Sequence, residues 1–86
     1  MSSNVTITLQ IKQNSGTISI DGMRKHEKQW LADALIDLFA VDDAEYDDKK
    51  GCITLCNEAD NIDTDTLKLS LDELCKELEH DTILYS

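Results

Sequence analysis

From Val5 to Lys12 apolar and polar residues alternate, with Val5, Ile7, Leu9 and Ile11 set against Thr6, Thr8, Gln10 and Lys12. A period of two sends the two sets to opposite faces, so this stretch predicts a strand with one face buried and the other wet. After Gln13-Asn14-Ser15-Gly16 the alternation resumes in Thr17, Ile18, Ser19 and Ile20. The pair of runs predicts a β-hairpin whose positive-φ turn residues come from Asn14 to Gly16.

The period then changes. Between Met23 and Ala40, the residues Trp30, Leu31, Ala34, Leu35 and Leu38 recur at steps of one, three and four, with Phe39 at the edge of their arc. At about 100° per residue they share one side of a helix, and Lys28, Gln29, Asp33 and Asp37 take the other. The spacing predicts a helix over 23–40, capped by Asp21 where Gly22 loosens the corner. Trp30 and Phe39 are the only tryptophan and phenylalanine, so this helix is expected to be the central core element. Ile36, with Ala32 and Phe39, forms a narrow second apolar strip.

Ala44 to Asp47 predicts a short strand, Asp48 to Gly51 a turn, and Cys52 to Asn57 a longer strand. Ile53 and Leu55 would point to the core, and Cys52, Thr54 and Cys56 away from it. An acidic loop, Glu58 to Thr64, follows. Beyond it two patterns compete. Leu67, Leu71, Leu74 and Leu78 make a helical stripe, whereas Leu67-Lys68-Leu69 alternates as a strand does. Ser70 followed three residues later by Glu73 is a capping-box signature, which places a strand at Asp65–Leu69 and a helix at Leu71–His80, buried through Leu71, Leu74, Cys75 and Leu78. The tail Thr82-Ile83-Leu84-Tyr85 can dock as an edge strand. The order β-β-α-β-β-β-α, with short connections, predicts an α+β two-layer sandwich: an antiparallel sheet of about five strands with both helices on its apolar face.

Eighty-six residues leave room for one core, so one domain over 1–86 is expected. The start MSSNVTITLQ has no basic run leading into an apolar stretch, and no segment approaches the roughly 20 apolar residues that span a bilayer. Three cysteines without a small disulfide scaffold fit reduced thiols. A cytoplasmic protein is the expectation, which leaves the sequon Asn4-Val5-Thr6 without meaning.

Candidate chemistry fails on spacing. Cys52 and Cys56 on a strand would lie roughly 13 Å apart, too far to share an ion whose sulfur ligands sit about 2.3 Å away, and Cys75, His26 and His80 show no ligand spacing. Asn61 to Asp72 resembles a calcium loop in placing oxygens at alternate positions, but its sixth residue is Thr66 where the turn requires glycine. No glycine-rich phosphate loop, nucleophile elbow or zinc-protease motif is present. A cysteine–histidine pair such as Cys75 with His80 is left open, and with it the rival of a small enzyme or metal protein using Cys75, His26 or His80. The expectation is a protein that is not an enzyme and needs no cofactor.

The formal net charge of −10 changes the picture most. Residues 1–40 cancel, with Asp21, Glu27, Asp33 and Asp37 against Lys12, Arg24, Lys25 and Lys28, so the excess lies in residues 41–86. Asp42, Asp43, Glu45, Asp47, Asp48, Glu58, Asp60, Asp63 and Asp65 crowd one stretch against Lys49 and Lys50 alone. Such a field repels nucleic acid and anionic membranes and attracts basic protein surfaces. Duplex DNA carries one charge per roughly 1.7 Å of axis, and a dense carboxylate surface can satisfy the same Lys and Arg. These nine residues are therefore the candidate partner-binding set, and the partner expected is the basic surface of a nuclease or DNA-binding protein, inhibited by occupation. In size and charge the chain resembles the small acidic inhibitors of phages and mobile elements, among them anti-restriction, anti-CRISPR and nuclease immunity proteins. The alternative is a structural or assembly protein, a homodimer for instance, that self-associates if the strip Ala32, Ile36, Phe39 joins the tail Ile83-Leu84-Tyr85.

Overall fold

The computed structural model describes residues 4–80 and 82–85. Its elements run β1 (Asn4–Lys12), β2 (Ser15–Asp21), α1 (Lys25–Asp37), β3 (Asp43–Asp47), β4 (Cys52–Cys56), α2 (Thr64–Glu77) and β5 (Thr82–Tyr85). The five strands form one mixed sheet in the order β3-β4-β2-β1-β5, and with the two helices they make the α+β fold that the alternating and helical periods predict.

Register explains why that alternation was so clean. Ile7 stands opposite Ile20, Ile18 opposite Ile53, and Leu55 opposite Ala44, so each row of apolar residues runs across neighbouring strands on one face. Leu31 and Leu35 of α1 and Leu67, Leu71 and Cys75 of α2 close over that face in one cluster. All of these leucines and isoleucines are buried, Ile20 to 4% exposure and the rest completely, which contributes roughly 1.5–3 kcal/mol apiece. The far face carries rows of small polar residues and carboxylates, such as Thr8, Ser19, Cys52 and Asp47 in one row and Gln10, Thr17, Thr54 and Glu45 in the next.

Five expectations are corrected. The β1–β2 turn is Gln13-Asn14, and Gln13 takes the positive φ, 58°. Gly16 lies inside β2 opposite Ile11, where an added Cβ would come within 2.5 Å of the Gln10 carbonyl; close approach, not a left-handed turn, is what requires glycine here.

Asp21 ends β2 and does not cap α1. The N-cap is Arg24, whose amide donates to Glu27 Oε1 at 3.0 Å. The helix has also turned by roughly a quarter turn from the predicted arc, so that Leu31, Ala32 and Leu35 are buried while Trp30 is 39% exposed, Leu38 47% and Phe39 92%. Small Ala32 lets α1 come close to the sheet, and its large apolar residues are divided between the sheet and the flank shared with α2. Phe39 lies past the helix end.

The predicted strand over 65–69 is the first part of α2. Asp63 caps it, Oδ1 accepting from the amides of Asp65 (3.0 Å) and Thr66 (3.3 Å), and Oδ2 from the Thr66 hydroxyl (3.1 Å). These bonds hold the Asp63 carboxyl below its ordinary value, the Thr66 amide contributing most. Ser70 is inside the helix and Leu69 points to solvent, 68% exposed. Three alternating residues are too few to outweigh four leucines at helical spacing.

The fifth strand is instead the tail, which pairs with β1 in parallel, Val5 opposite Ile83 and Ile7 opposite Tyr85. The order is therefore β-β-α-β-β-α-β, and the sheet is mixed where an antiparallel one was expected. Parallel pairing needs a crossover, and α2 supplies it between β4 and the far edge. Among the described residues no helix is long and apolar enough to cross a membrane.

Candidate functional site

The alternation of β3 decides where its carboxylates go. Ala44 and Tyr46 turn toward the helices, so Asp43, Glu45 and Asp47 line the uncovered face, opposite Cys56, Thr54 and Cys52 of β4. Because β3 is the outermost strand, the row stands at an open edge. Asp42 joins it at one end, where its Oδ2 accepts from the Glu58 amide at 2.8 Å, while the Asp42 amide donates to Asn57 Oδ1 at 2.9 Å. Asp48 extends the row at the other end.

The remaining acids leave this group. After Asn57 the chain crosses the β1–β2 turn, with the Asn57 amide donating to the Asn14 carbonyl (2.7 Å) and the Ile62 amide to that of Gln13 (2.9 Å). Asp63 and Asp65 thus arrive at the N-terminus of α2, where negative charge complements the helix dipole, and Asp60 lies in the loop between. The nine candidates divide into a β3 group of Asp42, Asp43, Glu45, Asp47, Asp48 and Glu58, an α2 group of Asp63 and Asp65, and Asp60 alone between them.

Several of them have local duties. Asp47 Oδ1 accepts from the amides of Lys49 (2.9 Å) and Lys50 (3.3 Å), closing the turn before Gly51. Asp48 pairs with Lys25 at 2.7 Å and, by hydrogen bond and charge, holds the lysine above its ordinary pKa; both side chains are more than half exposed, so the pair adds little stability. Asp43, Glu45 and Glu58 have no side-chain partner among the described residues, which leaves them open to an external cation.

No family model, curated protein or solved structure matches the chain. What the surface can do follows from its own geometry.

The other chemistry-bearing groups are tied into the scaffold. Cys75 is fully buried, and burial, with Asp72 and Glu27 nearby, pushes its thiol up to about 11, away from the thiolate form that a nucleophile needs. His80 Nε2 lies 3.1 Å from Glu27 Oε2. Asp72, the last residue of the calcium-like stretch, accepts from the Tyr85 hydroxyl at 2.8 Å, and Asp63 is occupied as a cap. Among the described residues no group of three His, Cys, Asp or Glu side chains is arranged to hold a metal ion.

The apolar surfaces do not merge into one patch. Ile36 packs on the core, Ile83 and Tyr85 turn inward, and only Leu84 of the tail faces out, 54% exposed. β5 lies at the opposite sheet edge from β3, over which α1 packs, and four strand spacings amount to roughly 19 Å.

One surface escaped the sequence reading. A groove between α1 and α2 is lined by Trp30, Leu38, Asp33, Asp37, Glu73 and Glu77 among others. Its signal was present as carboxylates four apart on each helix, but Asp33 and Asp37 read as an ordinary wet face and Glu73 as half of a capping box.

Proposed function

We propose that this protein binds a basic protein surface, of the kind that otherwise holds nucleic acid, through the carboxylates of β3 and its ends, and thereby inhibits a nuclease or DNA-binding protein. What supports the reading is one observation: Asp43, Glu45 and Asp47 project in a row from the uncovered face of an edge strand, thickened by Asp42 and Glu58 at one end. Steps of two residues are about 6.6 Å, so the row alone offers one charge for every two phosphates of a DNA strand, whose axial spacing is about 3.4 Å. Asp42 and Glu58 raise that density, while Asp48 is already paired with Lys25. Charge complementarity with a basic groove makes association fast and sensitive to salt.

The test is affinity capture at low salt from cells that make the protein, followed by elution with duplex DNA. The expected result is a nucleic-acid-handling protein that DNA displaces and that the variant Asp43→Asn/Glu45→Gln/Glu58→Gln no longer retains. These three residues are chosen because none has a side-chain partner among the described residues. A captured protein indifferent to both the DNA and the variant would sink the proposal and leave the row as a guard that keeps an edge strand from pairing with other sheets.

A further inference from the structure

The groove between α1 and α2 opens on the solvent side of the helical layer and encloses about 300 Å³. Trp30, Ala34 and Leu38 follow one another at steps of four along α1, and Leu74 closes the floor from α2. Ala34 and Leu74 are half-buried and buried, but Trp30 and Leu38 remain 39% and 47% exposed. Two large apolar side chains thus stand over a floor that no part of the described chain covers.

Both rims are acidic. Asp33 and Asp37 edge the groove on α1, Glu73 and Glu77 on α2, and none of the lining residues is basic. Like charges one turn apart weaken a helix, and here the arrangement occurs on both helices and faces one trough.

We propose that this groove seats a basic amphipathic helix of a protein partner. From Trp30 to Leu38 the floor extends about 12 Å along α1, two helical turns, which suits apolar residues at i, i+3, i+4 and i+7 of an incoming helix. Acid on both rims calls for Lys or Arg on both flanks of that stripe. A second copy of this chain does not meet the requirement, because its net charge is −10 and its own groove rims are acidic. The groove lies on the layer opposite the β3 row, shares no residue with it, and does not depend on it.

Trp30 is the only tryptophan, so its emission reports on the groove directly. The probe is a synthetic amidated peptide of about 14 residues, roughly 21 Å as a helix, built from leucine, alanine and lysine with leucines at the stated spacing. The expected result is a saturable blue shift of Trp30 emission, and an affinity at low salt weakened about tenfold or more in Asp33→Asn/Asp37→Asn/Glu73→Gln/Glu77→Gln. The same peptide with its sequence scrambled should bind about tenfold more weakly. In Asp43→Asn/Glu45→Gln/Glu58→Gln affinity should stay within about twofold. Circular dichroism of each variant checks that the fold is intact. No saturable shift, equal binding of the scrambled peptide, or equal losses in the two sets of variants would overturn the proposal, as would sedimentation of the protein alone as a dimer that already covers Trp30. A groove that fails with a β3 row that still retains its DNA-displaceable partner refutes this proposal alone; the reverse refutes the other.

Discussion

Glu27 and His80, 53 residues apart in the chain, meet at 3.1 Å between Oε2 and Nε2 and so join the first turn of α1 to the end of α2. The same Glu27 accepts from the Arg24 amide through Oε1, so one carboxylate caps a helix and ties two together. Burial acts to raise its pKa, but the Arg24 amide and the His80 imidazole outweigh it and hold the carboxyl below its ordinary value of 4.5. A carboxyl held low in the fold stabilises it above the unfolded pKa, and that stabilisation is lost as pH falls through the folded value. Glu27→Gln should therefore lower stability by about 1 kcal/mol at pH 7 and flatten the decline below about pH 4.5. Urea unfolding at pH 7 and in acid measures both; an unchanged acid slope would count against the bond.

Both helices end with the same device. After α1 the Phe39 amide donates to the Ile36 carbonyl and that of Ala40 to Leu35; after α2 the Glu79 amide donates to Lys76 and that of His80 to Cys75. These Schellman closures put a left-handed residue just past each C-cap, a place usually taken by glycine, yet here Phe39 has φ 59° and Glu79 φ 65°. A left-handed L-residue costs about 1–2 kcal/mol, of which glycine's extra unfolded-state entropy offsets roughly 0.5–1 when it replaces one. Phe39 is 92% exposed and loses no packing on removal. Phe39→Gly should then stabilise by about 0.5–1 kcal/mol, a rise in Tm of a few degrees, and Glu79→Gly should move in the same direction. A fall in Tm for Phe39→Gly would mean that the ring makes a contact in the fold.

The start of α2 separates two caps by experiment. With Asp63 accepting from two amides and a hydroxyl, Asp63→Ala should lower Tm by about 5 °C. Ser70 is mid-helix, so Ser70→Ala should leave Tm within about 1 °C. The opposite ranking would restore Ser70 as the helix start.

That choice shows what the sequence could and could not carry. The hairpin strands, β3, β4 and both amphipathic stripes were legible because each buries one face and therefore repeats at a fixed period. The cap was not, since Asp63-Thr64-Asp65-Thr66 and Ser70-Leu71-Asp72-Glu73 are both plausible local caps and only the packing of Leu67 selects between them. The rotation of α1 was hidden for a related reason. Its apolar side is shared between the sheet and α2, so Trp30 and Leu38 belong to the right helix but to its flank. Of the acids, β3 was readable as a row from its alternation, whereas the departure of Asp63 and Asp65 to a helix end depended on where the loop crosses the β1–β2 turn.

One side chain ties the parallel strand to α2. The Tyr85 hydroxyl shares its one proton between Asp72 Oδ1 at 2.8 Å and the Lys68 carbonyl at 3.2 Å, and Lys68 Nζ lies 5.3 Å from its ring centre. Burial and the Asp72 bond keep the hydroxyl protonated well above its ordinary range. Tyr85→Phe retains the ring and removes both bonds, at a cost of about 1 kcal/mol. Hydrogen exchange should quicken in β5 and in Asn4 to Ile7 of β1, its pairing partner, while β2 and β4 keep their protection. Uniform acceleration across the sheet would instead make β5 part of the global unfolding unit.

Cys75 yields an alkaline counterpart to Glu27. Its thiol is raised from 9.0 to about 11, by burial first and then by Asp72 and Glu27, so the fold favours the protonated form. A group with a raised folded pKa contributes stability that is complete below its unfolded value and is lost as pH climbs toward the folded one. Stability should therefore fall between about pH 9 and pH 11, and Cys75→Ala should flatten that fall while leaving a small cavity that costs about 1 kcal/mol at neutral pH. The three thiols also differ in access: Cys56 is exposed, Cys52 half-buried and Cys75 buried. Under a thiol-specific disulfide reagent at pH 8, Cys56 and then Cys52 should react in the native protein. Cys75 should wait for unfolding and follow its rate through a urea series. Fast native labelling of Cys75 would show that the end of α2 opens on its own, and would undo the assignment of that thiol to the closed core.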